Sequence, residues 1–269
     1  MVDAHRRASY NEQIMPETIP LQETIVYGPI HSRRLGDSLG INLLPATHKV
    51  CSSNCVYCQY GWTSPSALGE RLTRAPELLQ AIERTFQHHV ALGTVVDCIT
   101  LAGNGEPTLH PDLLEVVDGL RQLRDRYFPK ATVGILSDAT QVMRPRVQQA
   151  LALLDVRYMK LDAGDESTWR RINEPLGHIT FHDLVSALQR LPSIILQSMF
   201  MQGSYDNTQP TQIHSWIQTI SAIKPLGVHV YTVDRGTAAP GITKVPEAIL
   251  QSIAKQLTTA TGIPTEVFA

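Results

Sequence analysis

The chain has 269 residues, 43% hydrophobic and 18% charged, with 23 Lys and Arg against 25 Asp and Glu. That length can bury the core of one large domain without covalent staples, so four cysteines do not indicate a small disulfide-rich scaffold. No apolar run approaches the ~18 residues that cross a bilayer, which speaks against a membrane partner, and a formal net charge of −2 exerts no long-range pull on nucleic acid.

The opening stretch, MVDAHRRASYNEQ, lacks the apolar segment of a secretory signal. A cytoplasmic location with reduced thiols is therefore expected. Residues 1–24 are polar and aperiodic, and Pro16 and Pro20 interrupt any helix. They read as a mobile arm or an edge extension, followed by one domain over 25–269. Within that domain the first buried strand falls at 38–44 (SLGINLL), then a helix at 76–90, a strand at 95–102 (VVDCITLA), a helix at 111–124 and a strand at 132–136 (TVGIL). Next come a helix at 145–154, a strand at 156–161 (VRYMKL), a helix at 182–189, a strand at 194–200, a helix at 211–223, a strand at 227–233 and a helix at 246–257. Pro76, Pro111 and Pro246 suit first-turn positions, where the missing N–H costs nothing. Six alternating units of this kind predict parallel strands with helical crossovers, as a doubly wound sheet or an open partial barrel. In either, chemistry collects in the loops after the strands.

Two segments sit in those loops. Cys51, Cys55 and Cys58 follow the first strand on one short loop, and three soft ligands so spaced suit an iron–sulfur cluster or zinc. A zinc site would need a fourth ligand, from Cys98 or His48; Cys98 also reads as a small hydrophobe inside the second strand. After that second strand comes Gly103-Asn104-Gly105-Glu106-Pro107, which by itself is also a plain strand-to-helix turn. Lys160 and Asp162 alternate on the fourth strand and so share a face. Arg33 and Arg34 precede the first strand, Asp234 and Arg235 follow the sixth, and Arg171, Asn173 and Glu174 lie in the loop after the fourth. These residues are the candidates for holding a substrate, the arginines through a phosphate or carboxylate.

Cys51, Cys55, Tyr57 and Cys58 match every defined position of CxxxCxΦC, where Φ is aromatic, and GNGEP is similar to GGEP with Asn104 in place of the first glycine. Both motifs resemble those of the radical S-adenosylmethionine (radical SAM) superfamily. The stretches YGPIHSRRLGDSLGINLLP, CVYCQYG, GNGEPTLHP, MKLDAGDESTWRRINEP and VYTVDRGTA further resemble a compact single-cluster subgroup related to wyosine synthases. The resemblance runs from about residue 25 to 268. It implies a partial (β/α)6 barrel in a single domain, TIM-barrel-like, with one [4Fe–4S] cluster on the three cysteines. It also implies an enzyme, an oxidoreductase or lyase, that cleaves S-adenosylmethionine (SAM) reductively to a 5′-deoxyadenosyl radical that abstracts hydrogen from substrate. An electron donor such as flavodoxin or ferredoxin is implied with it.

By the same resemblance Gly105 and Glu106 meet the amino-acid part of SAM, Pro107 fixes the turn, and Ser137 and Asp138 stand where ribose partners are usual. Lys160 then meets the SAM carboxylate and Asp162 a hydroxyl or Lys160 itself. Gln197, Tyr231 and the backbone of Tyr57 lie by the adenine. The substrate stays open among a small molecule, a peptide, a protein and tRNA. Within the class, wyosine-type tRNA modification, activation of a glycyl-radical enzyme and peptide modification are the alternatives; outside it, a non-enzymatic zinc or iron–sulfur protein. By resemblance, wyosine-type enzymes carry a second cluster on further cysteines, of which this chain has only Cys98.

Overall fold

A computed structural model describes residues 18–32, 34–64 and 71–269. A hairpin of β1 (Val26–Ser32) and β2 (Gly36–Ile41) leads into α1 (Ala75–Ala91) and β3 (Cys98–Leu101). After a short 3-10 turn (Pro107–Leu109) come α2 (Leu113–Tyr127), β4 (Thr132–Ser137), α3 (Pro145–Ala152) and β5 (Val156–Lys160). Two helices, α4 (Glu166–Asn173) and α5 (Phe181–Arg190), precede β6 (Ile194–Phe200), which runs into β7 (Gln202–Gly203) and α6 (Pro210–Ile223). β8 (Gly227–Thr232), β9 (Ile242–Thr243), α7 (Glu247–Thr261) and β10 (Thr265–Phe268) complete the chain.

Eight strands form one sheet in the order β1-β2-β3-β4-β5-β6-β8-β10, and β7 pairs with β9 as a separate ribbon. Within the main sheet only β1 is antiparallel to its neighbour. The expected partial (β/α)6 barrel is present, with β1 added at one edge and β10 at the other. β1 contains Gly28-Pro29 and β10 has four residues, so neither carries a buried-strand pattern.

The period of two sorts the side chains. Leu39, Ile41, Ile99, Leu101, Val133, Ile135, Met159, Leu196, Val228 and Val230 are all but fully buried and pack with the inner faces of the helices into one apolar core. Burying an aliphatic side chain of this size stabilises by about 1.5–3 kcal/mol. The alternate residues, Ser38, Thr100, Tyr158, Lys160, Gln197, Met199, His229 and Tyr231, belong to no part of that core and face the concave side of the curled sheet. The lumen is therefore lined largely by polar and aromatic groups.

Of the arm expected over residues 1–24, residues 18–24 are fixed rather than loose. Ile19 N donates to Gln59 O at 2.9 Å, and Gln22 Nε2 donates to the Tyr60 hydroxyl at 3.0 Å. Residues 1–17 lie outside the described residues.

Candidate functional site

The cysteine loop begins where the chain leaves β2 and crosses the C-terminal mouth of the half-barrel. Val50 N donates to Asn104 O at 2.9 Å and Glu106 N donates to Val50 O at 3.0 Å, clamping the loop to the exit of β3. Gly105 makes this possible: its φ is +144°, and a Cβ there would lie 1.7 Å from Val50 O, so no other residue fits. From the far side, the end of α4 holds the loop by Val56 N to Ile172 O at 2.9 Å and Asn54 N to Glu174 O at 3.0 Å.

Cys55 is buried, and Cys51 and Cys58 are half-buried. Burial, followed by the charge of Asp138, pushes the Cys51 thiol well above its ordinary value, and burial pushes Cys55 up to about 11. The buried Lys49 feels all three thiols. Burial works against its charge, but the three sulfurs outweigh this and hold its pKa above the usual lysine value, while Nζ donates to Gly61 O at 2.8 Å. Among the described residues no three His, Cys, Asp or Glu side chains converge closely enough for a single metal ion. Cys98 cannot complete a zinc site, because it starts β3 at the opposite end from the loop and contacts Thr100 Oγ1 at 3.2 Å. Three thiols on one loop around one ammonium fit a cluster larger than a single ion, whose net negative charge Lys49 would offset.

Glu106 and Asp138 knit the strand ends to that loop. Glu106 Oε1 accepts from Thr108 N and Ser137 Oγ, both at 2.9 Å, and from Thr108 Oγ1, while Oε2 accepts from Asp138 N at 2.6 Å. Burial, then the charge of Asp138, lifts the Glu106 carboxyl to about 8. Asp138 Oδ2 accepts from Ser52 Oγ at 2.9 Å and Ser53 Oγ at 2.7 Å; Oδ1 accepts from Thr140 N at 2.9 Å and Thr140 Oγ1 at 2.8 Å. Both side chains expected beside a ribose, Ser137 and Asp138, are thus engaged within the protein. Asn104 is fully buried and also spent internally. Its Nδ2 donates to Gln22 O and Pro45 O, both at 2.8 Å, and its Oδ1 accepts from Gln22 N at 2.7 Å. Pro107 opens the 3-10 turn.

Lys160 and Asp162 do share a face, 4.0 Å apart. Asp162 accepts from the Tyr57 hydroxyl, from Asn173 Nδ2 at 2.7 Å and from Met199 N at 2.8 Å. Lys160 donates to the Tyr231 hydroxyl at 2.7 Å and lies 4.9 Å from the Tyr57 ring centre. Burial disfavours its charge, but Asp162 and Tyr231 outweigh that and hold its pKa above the usual lysine value. The Tyr57 ring and hydroxyl thus pack directly against the Lys160–Asp162 pair.

A cavity of about 570 Å³ opens beneath the loop, lined by Tyr57 and Cys58 at the top, Thr100, Met199 and Tyr231 within the lumen, and Arg34 and Arg235 at the sides. Asp234 also lines it and pairs with Lys244 at 3.2 Å. Arg171 does not reach it: the side chain is exposed and donates to Asp206 O at 3.0 Å. Asn173 is buried behind the loop, 3.4 Å from Cys55 Sγ, where it positions the loop rather than meeting a substrate. Arg33 lies outside the described residues. Lys49, Ser52, Ser53 and Thr108 were missed by sequence reasoning: Ser52 and Ser53 meet Asp138 only through the fold, whereas Lys49 and Thr108 sit two residues from Cys51 and Glu106 and carry no motif position of their own.

No family model matches the chain. It is 36% identical over 229 residues to a UPF0026 protein of Helicobacter pylori, across 83% of this chain and 69% of that one. Among solved structures it resembles a radical SAM methyltransferase from Sphaerobacter thermophilus, with a TM-score of 0.61 and 14% identity over 86% of this chain and 65% of that one. It also resembles TYW1, solved with a lysine-pyruvate adduct bound, with a TM-score of 0.57 and 13% identity over 83% and 74% of the two chains. At these identities the structural likeness is one of fold.

Proposed function

Because the chain belongs to the UPF0026 family and carries the radical SAM fold, we propose that it is a radical SAM enzyme with one [4Fe–4S] cluster on Cys51, Cys55 and Cys58. The observation that carries this reading is the cysteine loop clamped over the mouth of the half-barrel, with the cavity running beneath Cys58 and Tyr57 into the lumen. When bound, the cluster and SAM supply a 5′-deoxyadenosyl radical that takes a hydrogen atom from substrate. The chain's own residues bind, orient and shield. Lys49 offsets the charge of the thiolates. Glu106 Oε2 has one internal donor and keeps acceptor capacity for the amino group of SAM, beside the backbone of Gly105. Lys160, held by Tyr231 and Asp162, would meet the SAM carboxylate, and Tyr57 would close the top of the pocket against water. The reading calls for a one-electron donor of the flavodoxin or ferredoxin class.

Anaerobic reconstitution tests it. The protein is expected to turn brown with about four irons per chain and, given reductant and SAM, to release 5′-deoxyadenosine without added substrate. Cys55→Ala abolishes that release. A colourless protein that binds zinc at unit stoichiometry would overturn the proposal.

A further inference from the structure

Three buried polar atoms from three different elements have no hydrogen-bond partner on the lumen side: Arg34 Nη1, Gln197 Nε2 and His229 Nδ1. Gln197 and His229 are 5% and 6% exposed and sit opposite each other in the register of β6 and β8. Arg34 comes from the other edge of the sheet, in the turn joining β1 to β2. It reaches into the cavity and stacks its guanidinium 4.6 Å from the centre of the Tyr231 ring. In doing so it spans the gap between the two edges of the open barrel.

Two of the unmet groups, Arg34 Nη1 and Gln197 Nε2, are donors, whereas His229 turns its Nε2 toward Glu266 Oε1 at 3.9 Å, which leaves Nδ1 as the acceptor of a neutral ring. A buried donor left unmet costs roughly as much as a lost hydrogen bond, so native proteins keep few of them without a reason. Charge points the same way. Among the described residues no carboxylate lies within ion-pair distance of Arg34, whereas Lys160 has Asp162 at 4.0 Å. Tyr231 separates the two cations, its hydroxyl taking Lys160 and its ring face taking Arg34. Tyr231 thus keeps the two cations apart, although both face the concave side of the sheet.

We infer that the lumen holds an oxyanion of the substrate, a carboxylate or phosphate, gripped by the Arg34 guanidinium with Gln197 as a second donor, which makes Arg34 the specificity-determining residue. Arg34 suits this task because its planar fork binds two oxygens of such a group at once. The inference rests on the radical SAM reading for what happens to that substrate, but its test does not depend on turnover.

The experiment is calorimetric titration of inorganic phosphate, and separately of acetate, into the cluster-loaded protein with and without saturating SAM. At least one anion is expected to bind, with the stronger of the two naming the source of the oxyanion, and SAM should leave that affinity unchanged. Arg34→Gln should weaken it by about tenfold or more, and Arg34→Lys, which keeps the charge but not the fork, by less. Both variants should keep the wild-type iron content after reconstitution and the wild-type far-ultraviolet circular dichroism, which reports that they fold. Failure of wild type to bind either anion, equal binding by Arg34→Gln, or displacement of the anion by SAM would each overturn the inference. Absence of 5′-deoxyadenosine from wild type would instead overturn the radical SAM reading, leaving the anion result to stand by itself.

Discussion

The two sides of the cavity under the cysteine loop differ in how their polar atoms are satisfied. On the mouth side, Glu106 and Asp138 each accept from four N–H and O–H donors, Asp138 from the Cys51 thiol as well, and both amide atoms of Asn104 are bonded. On the lumen side, Arg34, Gln197 and His229 each keep an unmet atom. The first is a network bonded within the protein before any ligand arrives, with only one acceptor position of Glu106 Oε2 to spare, so it rigidifies the loop that presents the thiols. The second has demand left over, which is what a binding surface needs.

The largest effect should come from breaking the completed side. Asp138→Ala strips the acceptor from Ser52, Ser53 and Thr140, of which all three are buried. The loss of hydrogen bonds to a charged group, with donors left stranded, should cost about 3 kcal/mol, read as a lower urea midpoint together with a lower iron content after reconstitution. Stability within ~1 kcal/mol of wild type and full iron loading would show that the loop does not depend on this knot.

A smaller effect tests the same side through pH. Burial and the charge of Asp138 raise the Glu106 carboxyl from its ordinary value of 4.5 to about 8. Between those values the folded protein holds a proton that the unfolded chain has released, so this group's contribution is full below the lower value and is lost as pH rises through about 8. Glu106→Gln removes the titration and keeps the shape. Wild type should therefore lose at least ~1 kcal/mol more than the variant between about pH 5 and pH 8, measured by denaturant unfolding at each pH. Parallel curves for the two proteins would mean that Glu106 is ionised throughout.

The same contrast explains what the sequence could disclose. Cys51, Cys55, Cys58 and the Gly103–Pro107 turn are legible because their chemistry lies in residue type at fixed local spacing. Lys49 was not, although it sits two residues before Cys51, because residue spacing does not say that its side chain turns toward all three sulfurs. Nor was the tie of Asp138 to Ser52 and Ser53, which spans more than 80 residues. Asn104 was read as a departure from a glycine, whereas its amide anchors Gln22 and so fixes residues that polarity alone marked as an arm. Arg171 and Arg34 are indistinguishable as letters. One lies on the surface and the other inside the lumen, because a turn at one sheet edge faces a tyrosine near the other. Helix α4 escapes a periodicity reading because most of its residues are polar; Trp169 and Ile172 are its two large apolar side chains, and both turn inward.

The lumen side should respond in the opposite sense to the mouth. Gln197→Leu removes an amide whose Nε2 has no partner and replaces it with an apolar group of similar size against Met199, its neighbour on the same face of β6. Removing a buried group that makes no compensating bond is nearly neutral or stabilising, so the thermal midpoint should hold or rise, with a change in stability within about 1 kcal/mol. A structural glutamine would instead lower it well beyond that. The two sides are then distinguished by a single sign: a completed network loses stability when one member is removed, whereas a group kept for a ligand loses binding and leaves the fold as stable as before, because its stabilising contacts are absent until the ligand supplies them.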